Sequence, residues 1–260
     1  MHKSAYDIGH KFIDRYWDSK MESILEIGSF DVNGSLRDFQ PAKSNWMGVD
    51  LEPGKGVDVV IERTARLPFE DKSFDLVIAT SIFEHDPMFW LTFNEMLRVT
   101  KEGGFIFVNA PSNGIVHRHP LDVYRFYPDA GVALVDWGLR QRDSLHLVES
   151  FIAEQDGDVW NDFVAVFGLG IDNHLNKIYA DTQATNIWDG SKFLVESFSE
   201  QGEDKRKVVS LNSSIINLES ELSAAKQEIE IMQNSKSWAI TRPLRFFNKL
   251  FKSGPSDLLG

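Results

Sequence analysis

The sequence predicts an α/β fold: a mostly parallel sheet closed by an antiparallel hairpin and followed by a C-terminal coiled-coil helix. Three observations lead to it. Four short β-rich apolar runs, Ile24 to Ile27, Trp46 to Val49, Phe74 to Thr80 and Phe105 to Asn109, alternate with helical or loop stretches over about a hundred residues, as expected of βαβ units with right-handed crossovers. Two later runs, Leu145 to Ile152 and Val159 to Phe167, flank an Asp-Gly turn signal at 154–158, as in a hairpin. Beyond Gln201 an apolar residue recurs at spacings of three and four from Val208 to Met232, as in a heptad seam.

Taken in chain order, residues 5–20 carry Ile8, Phe12, Ile13, Tyr16 and Trp17 at roughly helical spacing, so an amphipathic helix is expected to pack on the edge of the main domain. Phe89 to Val99 is the clearest helix between strands. The stretch from Pro111 to Trp137, rich in His, Arg, Asp and Tyr, sits between the last parallel strand and the hairpin and is the expected substrate-binding insertion (111–140). The heptad segment, 205–234, has β-branched Val208, Ile215 and Ile229 at a and leucines at two d positions, a choice that favours a parallel homodimer over a helix folded back on the domain. Residues 235–252 contain five basic side chains, no acid and Trp238, Phe246, Phe247 and Phe251. Such a basic amphipathic segment suits an anionic membrane surface, docking on a partner being the other reading.

Composition limits the function classes. With no cysteine among 260 residues, thiolate catalysis, disulfides and Cys-ligated zinc are excluded. A net charge of -12 argues against the body as a nucleic-acid binder. No window is apolar enough for a membrane span and the N-terminus lacks a secretory core, so a cytoplasmic protein, peripheral at most to the inner face of a membrane, is expected.

Chemistry concentrates first at "ILEIGSFDVNGS". Gly28 and Gly34 allow a tight turn, and a helix after it is expected to offer free N-H groups to a ligand. Glu26 at the strand end repels a pyrophosphate and suits a ligand with a cationic amine. Asp50, ending the second strand, is placed to accept ribose hydroxyls. An adenosine with a positively charged arm, S-adenosylmethionine, satisfies both.

The blocks "LEIGS…NGS", "MGVDLEPGKGVDVV", "ARLPFEDKSFDLVIATSIFEH" and "LRVTKEGGFIFVNAPS" resemble, in order and spacing, the motifs of class I S-adenosylmethionine-dependent methyltransferases over residues 22–170. "VHRHPLDVYRFYPDA" and "SKSWAITRPLR" further resemble methyltransferases of bacterial surface-polysaccharide systems. The resemblance implies a Rossmann-like, seven-stranded sheet in a domain spanning 1–200. It implies a cofactor set of Glu26 (ammonium), Gly28, Ser29, Phe30, Gly34, Asp50 (ribose), Leu51 (adenine), Glu62, Ala65, Thr80, Ser81 and Ile82. It also implies O-methylation of a sugar, nucleotide-sugar or lipid-linked glycan. Two residues depart from the pattern: Phe30 stands where a glycine is usual, and Arg63 where an adenine-binding acid is usual. A small-molecule or protein methyltransferase, or a scaffold without catalysis, are the alternatives.

An alcohol acceptor must lose a proton, and His117, His119, Asp122 and His85 are the candidate bases. His117-x-His119-x-x-Asp122 also has a metal-like pattern, but no further ligand follows from the sequence and no metal is assigned. Arg118, Tyr124 and Arg125 are the candidate acceptor-binding residues, the guanidinium forks matching a phosphate or carboxylate.

Overall fold

The computed structural model describes residues 2–63, 66–154, 159–171, 174–198 and 203–241, with side chains of the last segment from Val208 onward. The chain divides into two units, Met1–Glu200 and Gln201–Gly260.

The first unit holds α1 (Lys3–Tyr16), β1 (Ser23–Ile27), β2 (Asn45–Asp50), β3 (Val59–Val60), β4 (Phe74–Thr80), α2 (Phe89–Val99), β5 (Thr100–Pro111), α3 (Asp129–Gly138), β6 (Leu145–Ala153), β7 (Asp162–Leu169) and β8 (Ala184–Trp188). They form one eight-stranded sheet in the order β3-β2-β1-β4-β5-β7-β6-β8. Strands β3, β2, β1, β4 and β5 pair in parallel, while β7 runs antiparallel to both β5 and β6. The parallel sheet and closing hairpin match expectation, and all four early runs are strands. The sheet has eight strands where seven were expected, because β8 adds antiparallel to the edge of β6. Because the sheet order reverses between β1 and β4, the crevice over their C-terminal ends is where a ligand is expected in such a sheet.

Strand alternation sends side chains to two cores. On one face Leu25, Val77, Ala79, Ile106 and Val108 meet Phe93, Met96 and Leu97 of α2 and Leu134 of α3. On the other, Ile24, Leu76, Ile78, Phe105 and Phe107 meet Ile8, Phe12, Ile13 and Tyr16 of α1. The first helix therefore covers the central strands rather than lying on the sheet's edge. The reason is local: β1 leads into a four-residue 3-10 turn, Leu36–Phe39, and not into the expected helix, so α1 covers that face. Fully burying a side chain of this size contributes roughly 1.5–3 kcal/mol, which makes the four apolar residues of α1 the principal attachment of the N-terminal segment. A buried carboxylate, Glu149, ties the same layer down by accepting from Tyr16 Oη at 2.5 Å and from the backbone N-H of Ile178 at 2.9 Å.

The expected insertion resolves into two parts. Residues 112–127 form a loop without regular structure, and α3 follows and packs on the core.

In the second unit, Glu203–Asn234 is one 32-residue helix, α4, and Lys236–Ile240 forms the short α5. Ser235 separates them by accepting from the backbone N-H of Trp238 at 3.2 Å, an N-cap. The described seam residues of α4 are exposed, Ile215 51% and Leu218 63% among them. The basic residues Arg242, Arg245, Lys249 and Lys252, with the three phenylalanines beside them, lie outside the described residues. Among the described residues no helix is long and apolar enough to cross a membrane.

Candidate functional site

A cavity of about 770 Å³ opens over the C-terminal ends of β1, β2 and β4, within the range of roughly 300–1,000 Å³ usual for small-ligand sites. Eleven of the twelve expected cofactor residues line it: Glu26, Gly28, Ser29, Phe30, Gly34, Asp50, Leu51, Glu62, Thr80, Ser81 and Ile82. The twelfth, Ala65, lies outside the described residues.

Glu26 is 4% exposed, and its Oε2 accepts from Trp46 Nε1 at 3.1 Å. Burial pushes its carboxyl up to about 7, against the opposing pull of the indole hydrogen bond. A carboxylate poised this way is readily ionised by a bound cation. Asp50 joins two loops: its Oδ1 accepts from the backbone N-H of Leu51 at 2.6 Å and its Oδ2 from that of Phe30 at 3.1 Å.

The β1 loop uses one glycine in the expected way. Gly28 has φ +77, a conformation that strains any side chain, and a Cβ there would fall 1.5 Å from Ile82 Cδ1 and displace it. Phe30 is accommodated from across the cavity wall. Its ring lies over Gly54, where a Cβ would come within 2.3 Å of it, and the loops are clasped by Asp31 N-H donating to Lys55 O at 2.9 Å. The close approach that a glycine in the first loop would permit is supplied by a glycine in the second. Phe30 stays 39% exposed and faces the cavity.

Buried polar atoms without partners converge on the same cavity. Of nine such side-chain atoms among the described residues, five belong to cavity-lining residues: Ser29 Oγ, Thr80 Oγ1, Ser81 Oγ, Glu84 Oε2 and His117 Nδ1. Ser81 also holds φ +55, a left-handed conformation that is uncommon outside glycine and concentrates at functional sites. Unsatisfied buried groups cost about 1–3 kcal/mol each, so their clustering marks a ligand site rather than scattered packing faults.

The 112–127 loop reaches this cavity because hydrogen bonds to backbone carbonyls fasten it to the turn after β4. Val123 N-H donates to Glu84 O at 2.7 Å, Tyr124 Oη donates to Pro87 O at 3.1 Å, and His85 Nδ1 bonds Leu121 O. These ties place His117, Arg118 and His119 on the wall beside His85. The imidazoles of His85 and His117 meet edge to face with centroids 4.9 Å apart. His85 keeps its proton on Nδ1 when that atom donates to the Leu121 carbonyl, which leaves Nε2 with a free lone pair. Burial also lowers its pKa.

Three expected site residues lie off the cavity wall. Asp122 is gripped by Arg125 through Nη1–Oδ1 at 2.5 Å and Nη2–Oδ2 at 2.8 Å and accepts from the backbone N-H of His117 at 2.7 Å. The Arg125 guanidinium holds its carboxyl well below the usual carboxylate range, which makes it a weak base. Arg125 spends its remaining N-H groups on the carbonyls of Asn113, Tyr124 and Ile115. The Tyr124 ring packs on Phe89. All three organise the loop.

Two wall residues went unnoticed in the sequence. Glu84 is 1% exposed, and burial drives its carboxyl up to about 8. Trp160 stands beside His117 with ring centroids 4.7 Å apart. For Glu84 the available signal was its place next to His85 at the strand end; Trp160 carried none.

Residues 25–108 match the family model described as a methyltransferase domain. Two curated relatives, uncharacterized methyltransferases from two strains of Mycobacterium leprae, are each 39% identical over 66 residues, covering 25% of this chain and 24% of their own length. The chain thus spans about a quarter of the relatives it matches. Among solved structures, a SAM-dependent methyltransferase from Aquifex aeolicus aligns with 14% identity and a TM-score of 0.44 over 61% of this chain and 88% of its own. The 1,6-didemethyltoxoflavin-N1-methyltransferase of Burkholderia thailandensis, bound to S-adenosylhomocysteine, aligns with 14% identity and a TM-score of 0.47 over 64% and 76%.

Proposed function

We propose that this chain is an S-adenosylmethionine-dependent methyltransferase that O-methylates a sugar during surface-polysaccharide assembly. The observation that carries the cofactor reading is the pairing of a buried acid, Glu26, with a loop-joining acid, Asp50, at the ends of adjacent strands within the stretch that matches a methyltransferase domain.

When bound, S-adenosylmethionine supplies an electrophilic methyl group on a sulfonium. Glu26 holds the ammonium of the methionine arm, and its own proton leaves as the charges pair. Asp50, with three backbone N-H groups on its carboxylate, keeps lone-pair capacity for ribose hydroxyls. Leu51 and the Phe30 ring offer apolar contact to the base. The hydroxyls of Ser29, Thr80 and Ser81 find polar partners they otherwise lack. His85, His117 and His119 face the remaining volume, where an acceptor hydroxyl must give up its proton. In-line displacement then depends chiefly on alignment and exclusion of water.

A sugar acceptor is supported by the exposed cation Arg118 beside the three imidazoles, by the indole of Trp160 on the same wall, and by the resemblance of 116–130 to methyltransferases of polysaccharide systems. Transfer of labelled methyl to candidate glycans and nucleotide-sugars tests this. Label on a sugar oxygen, reduced at least tenfold by His85→Ala or His117→Ala, supports it, and label appearing only on small amines or protein would replace it. We read α4 as one strand of a parallel homodimer, supported by its sustained a/d seam, and residues 235–252 as a contact for an anionic membrane.

A further inference from the structure

We propose that Glu84, His85 and His117 form a binding site for a divalent transition-metal ion on the acceptor side of the cavity. Among the described residues, these three alone bring His, Asp or Glu ligand atoms from three side chains within 4.8 Å of one another. The sequence pattern pointed elsewhere, to His117, His119 and Asp122, but Asp122 is taken by Arg125.

The cluster is short of positive charge. Glu84 Oε2 is buried without a partner, and so is His117 Nδ1. Glu84 Oε1 lies 3.6 Å from His85 Nε2, beyond hydrogen-bond range, and the Nδ1 proton of His85 is committed to Leu121 O. Two lone-pair carriers therefore face each other across a gap. A proton on Glu84 would satisfy one of them and still leave His117 Nδ1 without a hydrogen bond, its near neighbour being Asp122 Oδ2 at 3.4 Å. A cation can take a lone pair from each of the three side chains at once.

The 3.6 Å separation is close to the spacing of adjacent ligands on an ion with bond lengths of about 2.0–2.2 Å. The carbonyl that fixes His85 by its Nδ1 is the usual second partner of a metal-bound histidine. Two imidazoles and one carboxylate suit zinc, iron(II), cobalt(II) or manganese(II) better than calcium or magnesium, which favour all-oxygen sets. Three protein ligands leave positions open toward the cavity for oxygen donors, and a metal-bound hydroxyl becomes more acidic. That an acceptor's hydroxyl fills such a position rests on the methyl-transfer reading; the ion site itself does not.

The test is cobalt(II) titration of the full-length, tag-free chain, followed by visible absorption and calorimetry. One ion per chain is expected. Glu84→Gln, which keeps volume and removes charge, and His117→Ala are each expected to weaken it at least tenfold, with His146→Ala, on an exposed residue, unchanged. Circular dichroism of each variant guards against loss of fold. Saturable binding that none of the ligand variants weakens, or no visible band at millimolar cobalt, would overturn the site. Cobalt binding without methyl transfer to any acceptor would keep the ion site and remove the transfer reading.

Discussion

Trp46 Nε1 donates to Glu26 Oε2 at 3.1 Å across the β1–β2 pair, and it is the only hydrogen bond among the described residues that reaches the Glu26 carboxyl. The indole opposes the rise that burial imposes on this acid, yet the carboxyl still stands at about 7. The folded protein thus holds the proton that the unfolded chain releases near pH 4.5.

For the ligand-free protein the sign is fixed. Because the folded value is raised, the contribution of Glu26 to stability is full below about pH 4.5 and is lost as pH rises to about 7, in total roughly 3 kcal/mol at 1.36 kcal/mol per unit. Glu26→Gln is therefore expected to raise the melting temperature at pH 8 by several degrees and to change it little at pH 5. Differential scanning calorimetry at the two values decides this.

Ligand binding has the opposite sign. Pairing with a cationic arm ionises Glu26, so affinity for S-adenosylmethionine is expected to increase between pH 5.5 and 7.5, with proton release. Glu26→Gln should flatten that limb and cost about 1.5–3 kcal/mol at pH 7.5, the usual range for a charged hydrogen bond. Calorimetry in buffers of different ionisation enthalpy measures both effects.

Phe30 and Gly54 act as a pair. Gly54→Ala places a methyl within 2.3 Å of the Phe30 ring, which must shift from its place on the cavity wall. An affinity loss of about 1–3 kcal/mol is expected, as for other overpacked sites. Phe30→Ala in the same chain should recover most of it, a coupling that a double-mutant cycle reads directly.

Arg125 fastens the loop that carries His117. Arg125→Ala leaves the Asp122 carboxylate, 2% exposed at its side chain, without its guanidinium partner, a change expected to cost about 3 kcal/mol and at most 5. Hydrogen exchange over residues 114–123 should accelerate far more than over β4.

The α4 seam predicts a dimer by light scattering for the full chain and a monomer for a chain ending at Glu200. Leu218→Glu with Leu222→Glu should also dissociate it, since both lie on the expected contact stripe.

Much of this was legible in sequence because strand periodicity and strand-end acids are local signals. Ile24 to Ile27 and Phe74 to Thr80 announced the central strands, and Glu26 and Asp50 announced the cavity at their ends. What escaped was set by tertiary contact. Val59–Val60 is too short to show a period, and β8, with the polar Thr185 and Asn186, reads as a loop until β6 pairs with it. Glu84 joins His117 through tertiary bonds such as that from Val123 N-H to Glu84 O, across a sequence gap that no spacing rule covers. Conversely, the glycine missing at Phe30 looked like a defect because its compensation, Gly54, lies on another strand's loop.

Titration of the intact protein with S-adenosylmethionine bears most directly on the proposed cofactor site. Binding of one molecule per chain is expected, weakened at least tenfold by Asp50→Ala while the melting temperature of the ligand-free protein changes little. Absence of both heat and thermal shift with the wild-type chain at pH 7.5 would contradict it.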